Sequence, residues 1–166
     1  MKTQIVISIV GEDQEGFINK LTVKTSALGG KWLANKFAHL EGQIAGIIKL
    51  EIEQDKLDEF RQMLDSVEGL LVSYRDANDL QPGNDKIIRF TLEGEDRSSL
   101  TSDITHLLGE KGVKVEHYES RRYPVTELGR DVFEAHLDLR LPTMLSAESL
   151  KEALEQLSGR MRVFIA

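Results

Sequence analysis

The chain contains no cysteine. No disulfide framework, thiolate nucleophile, CxxC redox pair or thiolate metal site is therefore available, and several enzyme classes fall with them. No apolar run approaches a membrane span. Ile5 to Val10, which follow Met1-Lys2-Thr3-Gln4, are too few and too interrupted by Ser8 to form a signal-peptide core. A basic region is also missing: the net charge is -7, with about -4 in residues 1–84 and -3 in residues 85–166. A nucleic-acid binder concentrates Lys and Arg to replace counterions along phosphates, so direct nucleic-acid binding is disfavoured. Hydrophobic residues at 40%, charged residues at 30%, 13 Gly and 3 Pro are the composition of a folded soluble protein, expected in the cytoplasm and away from membranes.

What the sequence does contain is an internal echo. Gly11-Glu12-Asp13-Gln14-Glu15-Gly16 follows an apolar alternating run and opens a helical pattern, and 83 positions later Gly94-Glu95-Asp96-Arg97-Ser98-Ser99 does the same. A fixed-period echo marks one supersecondary unit used twice, and 166 residues hold two units of about 80. The polar segment with Pro82-Gly83 divides them, which sets boundaries of 1–76, a linker at 77–85, and 86–166.

Each unit reads as βαββαβ. Ile5, Ile7 and Ile9 share one strand face. Phe17, Ile18, Leu21 and Leu28 form a helix stripe, with Asp13 placed as its cap and Gly29-Gly30 as its stop. Two extended runs flank Glu41-Gly42 as a hairpin. Asp55 is placed to cap a second helix bearing Leu57, Phe60, Leu64 and Val67, and Leu70 to Tyr74 close the unit. In the second unit Gly112 stands where Gly29 stood, Thr126 to Arg130 lengthen the hairpin loop, and Ser146 caps the last helix. Phe133, Ala135, Leu137, Leu139 and Leu141 alternate with Glu134, His136, Asp138 and Arg140, so helices cover one sheet face and water meets the other. The fold expected is α+β: two split-βαβ antiparallel sheets with helices on one face. In the first unit Val6, Val10, Ala45 and Ile47 make the outer face more apolar, as if partly covered by the other repeat or by a second copy.

The loop into the first helix is the strongest candidate site. The first N–H groups of a helix lack partners and carry partial positive charge, which suits a carboxylate. Gly16 lets a ligand approach the backbone, and Asp13 and Glu15 can hold an ammonium, so the pair of charges fits an α-amino acid. The simpler reading is that Asp13 caps the helix and Gly16 eases a turn. Lys31 and Lys114 share one position at the start of strand two, where lysine reaches a carboxylate or is merely solvated. Trp32 packs under a helix or walls a small pocket. His117 and Glu119 share a strand face but lack a third metal ligand. His39, His106 and His136 have no Ser, Cys or carboxylate partner at a telling spacing, and Arg121-Arg122 is a basic pair that reads as solvated before it reads as meeting an anion or an acidic partner. Arg97 lacks the glycine-rich context of a phosphate loop. RNA-recognition modules of the same element order stack bases on central-strand aromatics; the third strand of repeat one has none, and Phe133 lies on the core side.

With these parts in place the sequence resembles the ACT domain family, across both repeats. The family motif is an acidic residue or Asn, two residues, Gly, then an apolar residue. Asp13-Gln14-Glu15-Gly16-Phe17 matches it, with Glu15 where Pro is usual. Repeat two keeps Asp96 and Leu100 with Ser99 in the Gly position, and Lys31-Trp32 and Lys114-Val115 stand where amino-acid-binding members often carry Asn. Tandem domains of this kind are similar to the glycine cleavage system transcriptional repressor family, as are Glu95 to Leu100 and Ser120-Arg121-Arg122-Tyr123-Pro124. The resemblance implies ferredoxin-like ACT domains and a regulator without catalytic residues, metal or cofactor. Such a regulator senses a small amino acid, glycine among them. It acts through a protein partner such as a DNA-binding regulator, and it can form a homodimer. The ligand contacts implied are Asp13, Gln14, Glu15, Gly16, Phe17, Lys31 and Trp32, with Asp96, Ser99, Leu100 and Lys114 in the second repeat. The first loop is expected to be the main site, because Ser99 adds a side chain where Gly16 has none. The alternative is a ligand-free pairing module.

Overall fold

The structure is a computed structural model that describes residues 1–77, 86–127 and 129–166. The chain divides into two compact units, Met1–Leu80 and Gln81–Ala166. The first comprises β1 (Lys2–Glu12), α1 (Phe17–Ala27), β2 (Lys31–Leu40), β3 (Gln43–Glu53), α2 (Leu57–Asp65) and β4 (Leu70–Asp76). The second comprises β5 (Ile87–Glu95), α3 (Leu100–Glu110), β6 (Lys114–Val125), β7 (Arg130–Arg140), α4 (Ala147–Glu155) and β8 (Arg162–Ile165). Each has a four-stranded antiparallel sheet, in the order β2-β3-β1-β4 and β6-β7-β5-β8. This is the ferredoxin-like α+β fold expected of both repeats. Of the linker expected at 77–85, residues 78–85 lie outside the described residues, as does Leu128 of the long hairpin loop. Ala77 still donates to the Gln4 carbonyl at 3.2 Å.

Period-two burial builds each sheet. Ile5, Ile7 and Ile9 of β1 and Ile44, Ile48, Leu50 and Ile52 of β3 are buried against Phe17 and Leu21 of α1 and Leu57, Phe60 and Leu64 of α2. In the second unit Phe90, Leu92 and the Phe133 to Leu139 alternation meet Leu100, Ile104 and Leu108 of α3 and Leu150 and Leu154 of α4. Each such side chain contributes about 1.5–3 kcal/mol relative to exposure, so inward faces outweigh local propensity. Among the described residues one buried position is polar: Thr25 donates to the Leu21 carbonyl at 2.7 Å and accepts from the Trp32 indole at 3.3 Å. Trp32 therefore packs under α1, stacked on Phe37 at 5.7 Å between centroids.

The turns behave as their residues require. Glu41 and Gly42 have φ of 49° and 77°, the double positive φ of a two-residue hairpin turn. Gly29 and Gly112, at φ 73° and 68°, end α1 and α3. Ser146 caps α4, accepting from the Ser149 N–H at 3.1 Å. Two expected caps are corrected. Helix α1 starts only at Phe17, with Gly16 at its cap position, and no side chain caps it, so Asp13 is three residues too early. A 3-10 turn, Gln54–Lys56, precedes α2 and places Lys56 at its cap position, so Asp55 does not cap it. Leu28 and Val67 lie just past their helices and still pack on the core.

One irregularity sets which side chains of β2 and β6 reach the loops. The β2–β3 register shifts at Leu33 and the β6–β7 register at Glu116, the same place in the repeat. A bulge of one residue moves every later side chain to the other face. Trp32 faces the helices before the bulge; after it Phe37 and His39 do, opposite Gly46 and Ile44. In β6, Tyr118, Ser120 and Arg122 take that side, opposite Leu137, Ala135 and Phe133.

Candidate functional site

At the end of β1 the chain leaves the sheet with Asp13 donating its N–H to the Gly42 carbonyl at 2.9 Å. The Phe17 N–H donates to the Gln14 carbonyl at 3.0 Å, closing a turn, and Gly16 adopts φ 71°, ψ 14°. Phe17 is buried and anchors the helix by packing on the core. The N–H groups of Ile18 and Asn19, in the first turn, have no carbonyl four residues back within the helix. Asp13 through Asn19 and His39 line an open cleft of about 300 Å³. The Asp13 carboxylate is 41% exposed and lies 3.4 Å from the His39 Nε2. A Cβ built on Gly16 meets nothing within 4 Å. The glycine therefore serves the left-handed turn, and the space above it is open. Chemically the cleft offers a carboxylate for a cation beside helix-start N–H groups for an anion.

The second loop repeats the backbone and differs in its side chains. Asp96 donates its N–H to the Asp131 carbonyl at 3.0 Å, as Asp13 does to Gly42. Ser99 copies Gly16, with φ 63°, ψ 13°, and its side chain makes no capping bond. Leu100 is fully buried. The Asp96 carboxylate is 19% exposed and accepts from the Arg122 Nε at 2.9 Å; the Arg122 Nη2 donates to the Thr101 hydroxyl at 3.0 Å. The guanidinium also lies over the Phe133 ring, 5.0 Å from its centroid. Arg97 donates to the Leu157 carbonyl at 3.1 and 2.7 Å and pairs with Asp103 at 2.6 Å, tying the loop to the α4–β8 connection.

Asp13, Gln14, Glu15, Gly16 and Phe17 thus come together, and so do Asp96, Ser99 and Leu100. Lys31 does not join its loop. It pairs with Glu51, whereas the loop end of the sheet pairs at Gln43 and Ile44, about 25 Å away along the strand. Trp32 is at that far end too. Lys114, paired with Glu116 at 3.4 Å, lies at the same far end of the second sheet.

Two sequence readings are corrected. Arg121 and Arg122 are not a solvated pair: Arg121 meets Glu134 on the outer face, at 3.1 Å, and Arg122 meets Asp96 beside the helices. The histidines have carboxylate partners: His39 with Asp13, 26 residues away, and, at local spacings, His106 with Glu110 at 3.3 Å, His117 with Glu119 at 3.5 Å and His136 with Glu134 at 2.8 Å. Among the described residues no three or more His, Asp or Glu converge as a metal site. His39 and Arg122, set aside in the sequence, are the residues that face the loop acids. Each lies 26 positions after the loop acid of its unit, Asp13 or Asp96. Aligning the repeats by their 83-residue offset would have found that matched pair of basic side chains.

Electrostatics elsewhere follow from pairing. The Arg121 guanidinium, then the His136 imidazole, hold the Glu134 carboxyl below the usual glutamate range. Arg140 does the same for Glu116. Burial and the Asp65 carboxylate raise the Tyr74 phenol.

No family description and no curated protein matches the chain. Solved structures do. An unknown protein from Galdieria sulphuraria has a TM-score of 0.83 at 18% identity, covering 99% of this chain and 98% of that one. A protein provisionally assigned as a glycine cleavage system transcriptional repressor has a TM-score of 0.65 at 13% identity, covering 100% and 99%. At these identities the likeness is one of fold. It spans both units, so the tandem ferredoxin-like α+β fold expected from the repeats is the fold of this chain.

Proposed function

We propose that this protein is a non-enzymatic cytoplasmic regulator that binds a small amino acid in the first loop and acts through a protein partner. The observation that carries the reading is the open cleft at the start of α1, where the exposed Asp13 carboxylate stands beside helix-start N–H groups. An α-amino acid presents an ammonium and a carboxylate within one small group, and the cleft offers the opposite charge to each. The likeness in fold to a protein assigned to glycine cleavage control supports glycine as the first ligand to try and transcriptional regulation of amino-acid metabolism as the setting. The domains would be 1–76 and 86–166, joined by 77–85. Isothermal titration with an amino-acid panel, glycine and serine first, tests the reading; binding of at least one is expected, and no heat with any at millimolar ligand rejects it.

A second reading, a pairing module without ligand, is favoured by a different observation. On the outer face of the first sheet Leu71, Val10, Ala45 and Ala38 are cross-strand neighbours, with Ile47 beside them. Leu71 is 76%, Ile47 53% and Val10 46% exposed. The second sheet carries ion pairs there instead, such as Arg89 with Asp138 at 2.8 Å. Sedimentation of wild type against Leu71→Glu separates the readings: a dimer lost in the variant, with no amino-acid binding, favours pairing.

A further inference from the structure

The two loops share a backbone and a carboxylate and differ in the basic side chain that faces it. The bulges at Leu33 and Glu116 turn His39 and Arg122 to the helix side, and both stand opposite matched residues, Ile44 and Phe133. We infer that Arg122 is a tethered occupant of the second loop, and that position 39 or 122 decides which loop admits a ligand's cationic group.

Three contacts hold Arg122 in place: the Asp96 carboxylate, the Thr101 hydroxyl and the Phe133 ring. A guanidinium is always charged and its planar fork is preorganised, so a free ammonium would have to displace a charge-assisted bond already made. Tethering adds to the disparity, because a side chain meets its partner at high effective concentration while a free ligand loses translational freedom. The first loop keeps the carboxylate and lacks the rest of this latch: the guanidinium, the hydroxyl and the ring. The His39 to Asp13 separation of 3.4 Å is longer than a good hydrogen bond. Ile18 stands where Thr101 stands and offers no oxygen. Asp13 is also twice as exposed as Asp96. The second loop is thus closed by its own chain and braces β6 against α3, while the first stays open.

The statement about the first loop rests on the amino-acid reading above; the latch in the second does not, and the test has an arm for each. The first arm is ligand-free: urea unfolding of D96A, R122A and their double variant, beside D13A, H39A and theirs. Asp96 and Arg122 are expected to couple, so that removing the second partner adds little once the first is gone, while Asp13 and His39 add independently. If R122A does not fold, R122Q and R122K enter the cycle in its place. The second arm transplants the latch as H39R with I18T and titrates glycine and serine. Binding at least tenfold weaker than wild type is expected. Absence of coupling between Asp96 and Arg122, or a transplant that binds as wild type does, overturns the inference. A wild-type protein that takes up neither amino acid refutes the functional reading, and the first arm then decides the latch alone.

Discussion

Gly11 and Gly94 stand at the same place in the two units, at the end of the central strand that delivers each loop, and they differ in what a methyl group there would meet. A Cβ on Gly11 would lie 2.6 Å from the Gly69 carbonyl oxygen and 3.2 Å from Leu70 Cδ1. On Gly94 it would lie 3.2 Å from Met161 Cα and 3.3 Å from the Met161 sulfur. The first contact is with backbone and too short to exist, so Gly11→Ala must push β1 and β4 apart. The second needs a shift of a few tenths of an ångström, eased by a flexible thioether. Overpacking costs about 1–3 kcal/mol, and the smaller unfolded-state entropy of alanine returns about 0.4–1, which leaves about 0–2.6; because the obstacle is backbone, Gly11→Ala should fall in the upper half of that range. Gly94→Ala should stay within about 1 kcal/mol of wild type. Urea unfolding followed by circular dichroism reads the difference; with a slope near 1.5 kcal/mol/M, a loss of 1.5 kcal/mol moves the midpoint by about 1 M. A Gly94→Ala variant as damaged as Gly11→Ala would refute the reasoning.

Two further outcomes are expected. Ser99 holds a left-handed φ of 63° without a capping bond in return, so Ser99→Gly should stabilise the protein by about 0.5–1 kcal/mol in the same assay, and destabilisation would count against it. Glu134 has its folded carboxyl below the ordinary value of 4.5, chiefly through Arg121, so its contribution is complete above that value and is lost as pH falls below it. The stability gap between wild type and Glu134→Gln should therefore narrow on acidification below about pH 4.5, and a gap that widens would contradict the pairing.

Much of the fold was legible because its signals are local. The alternation from Phe133 to Leu141, the Glu41-Gly42 turn and the glycines at 29 and 112 each carry their own physical cause, and all behave as read. The start of α1 was misread because a capping residue and a left-handed glycine both suit a helix start, and Gly16 wins by beginning the helix later than Asp13 suggested. The partners of the loop acids were not legible for a different reason. A bulge leaves little mark in composition, yet the one at Glu116 decides that Arg122, and not Arg121, turns toward Asp96. Arg122 reaches Asp96 from 26 residues away, as His39 reaches Asp13, so no spacing rule within a helix or strand finds them.

Calorimetric titration of glycine and serine into wild type, Asp13→Ala and Asp96→Ala tests the central claim most directly. Losing a charge-assisted contact costs about 1.5–3 kcal/mol, or roughly ten- to a hundred-fold in affinity. Asp13→Ala should weaken binding by at least that much. Asp96→Ala, whose carboxylate already holds Arg122, should leave affinity within a few-fold of wild type. Equal losses from the two variants, both folded by circular dichroism, or an Asp13→Ala protein that binds as wild type does, would contradict the assignment of the first loop as the site.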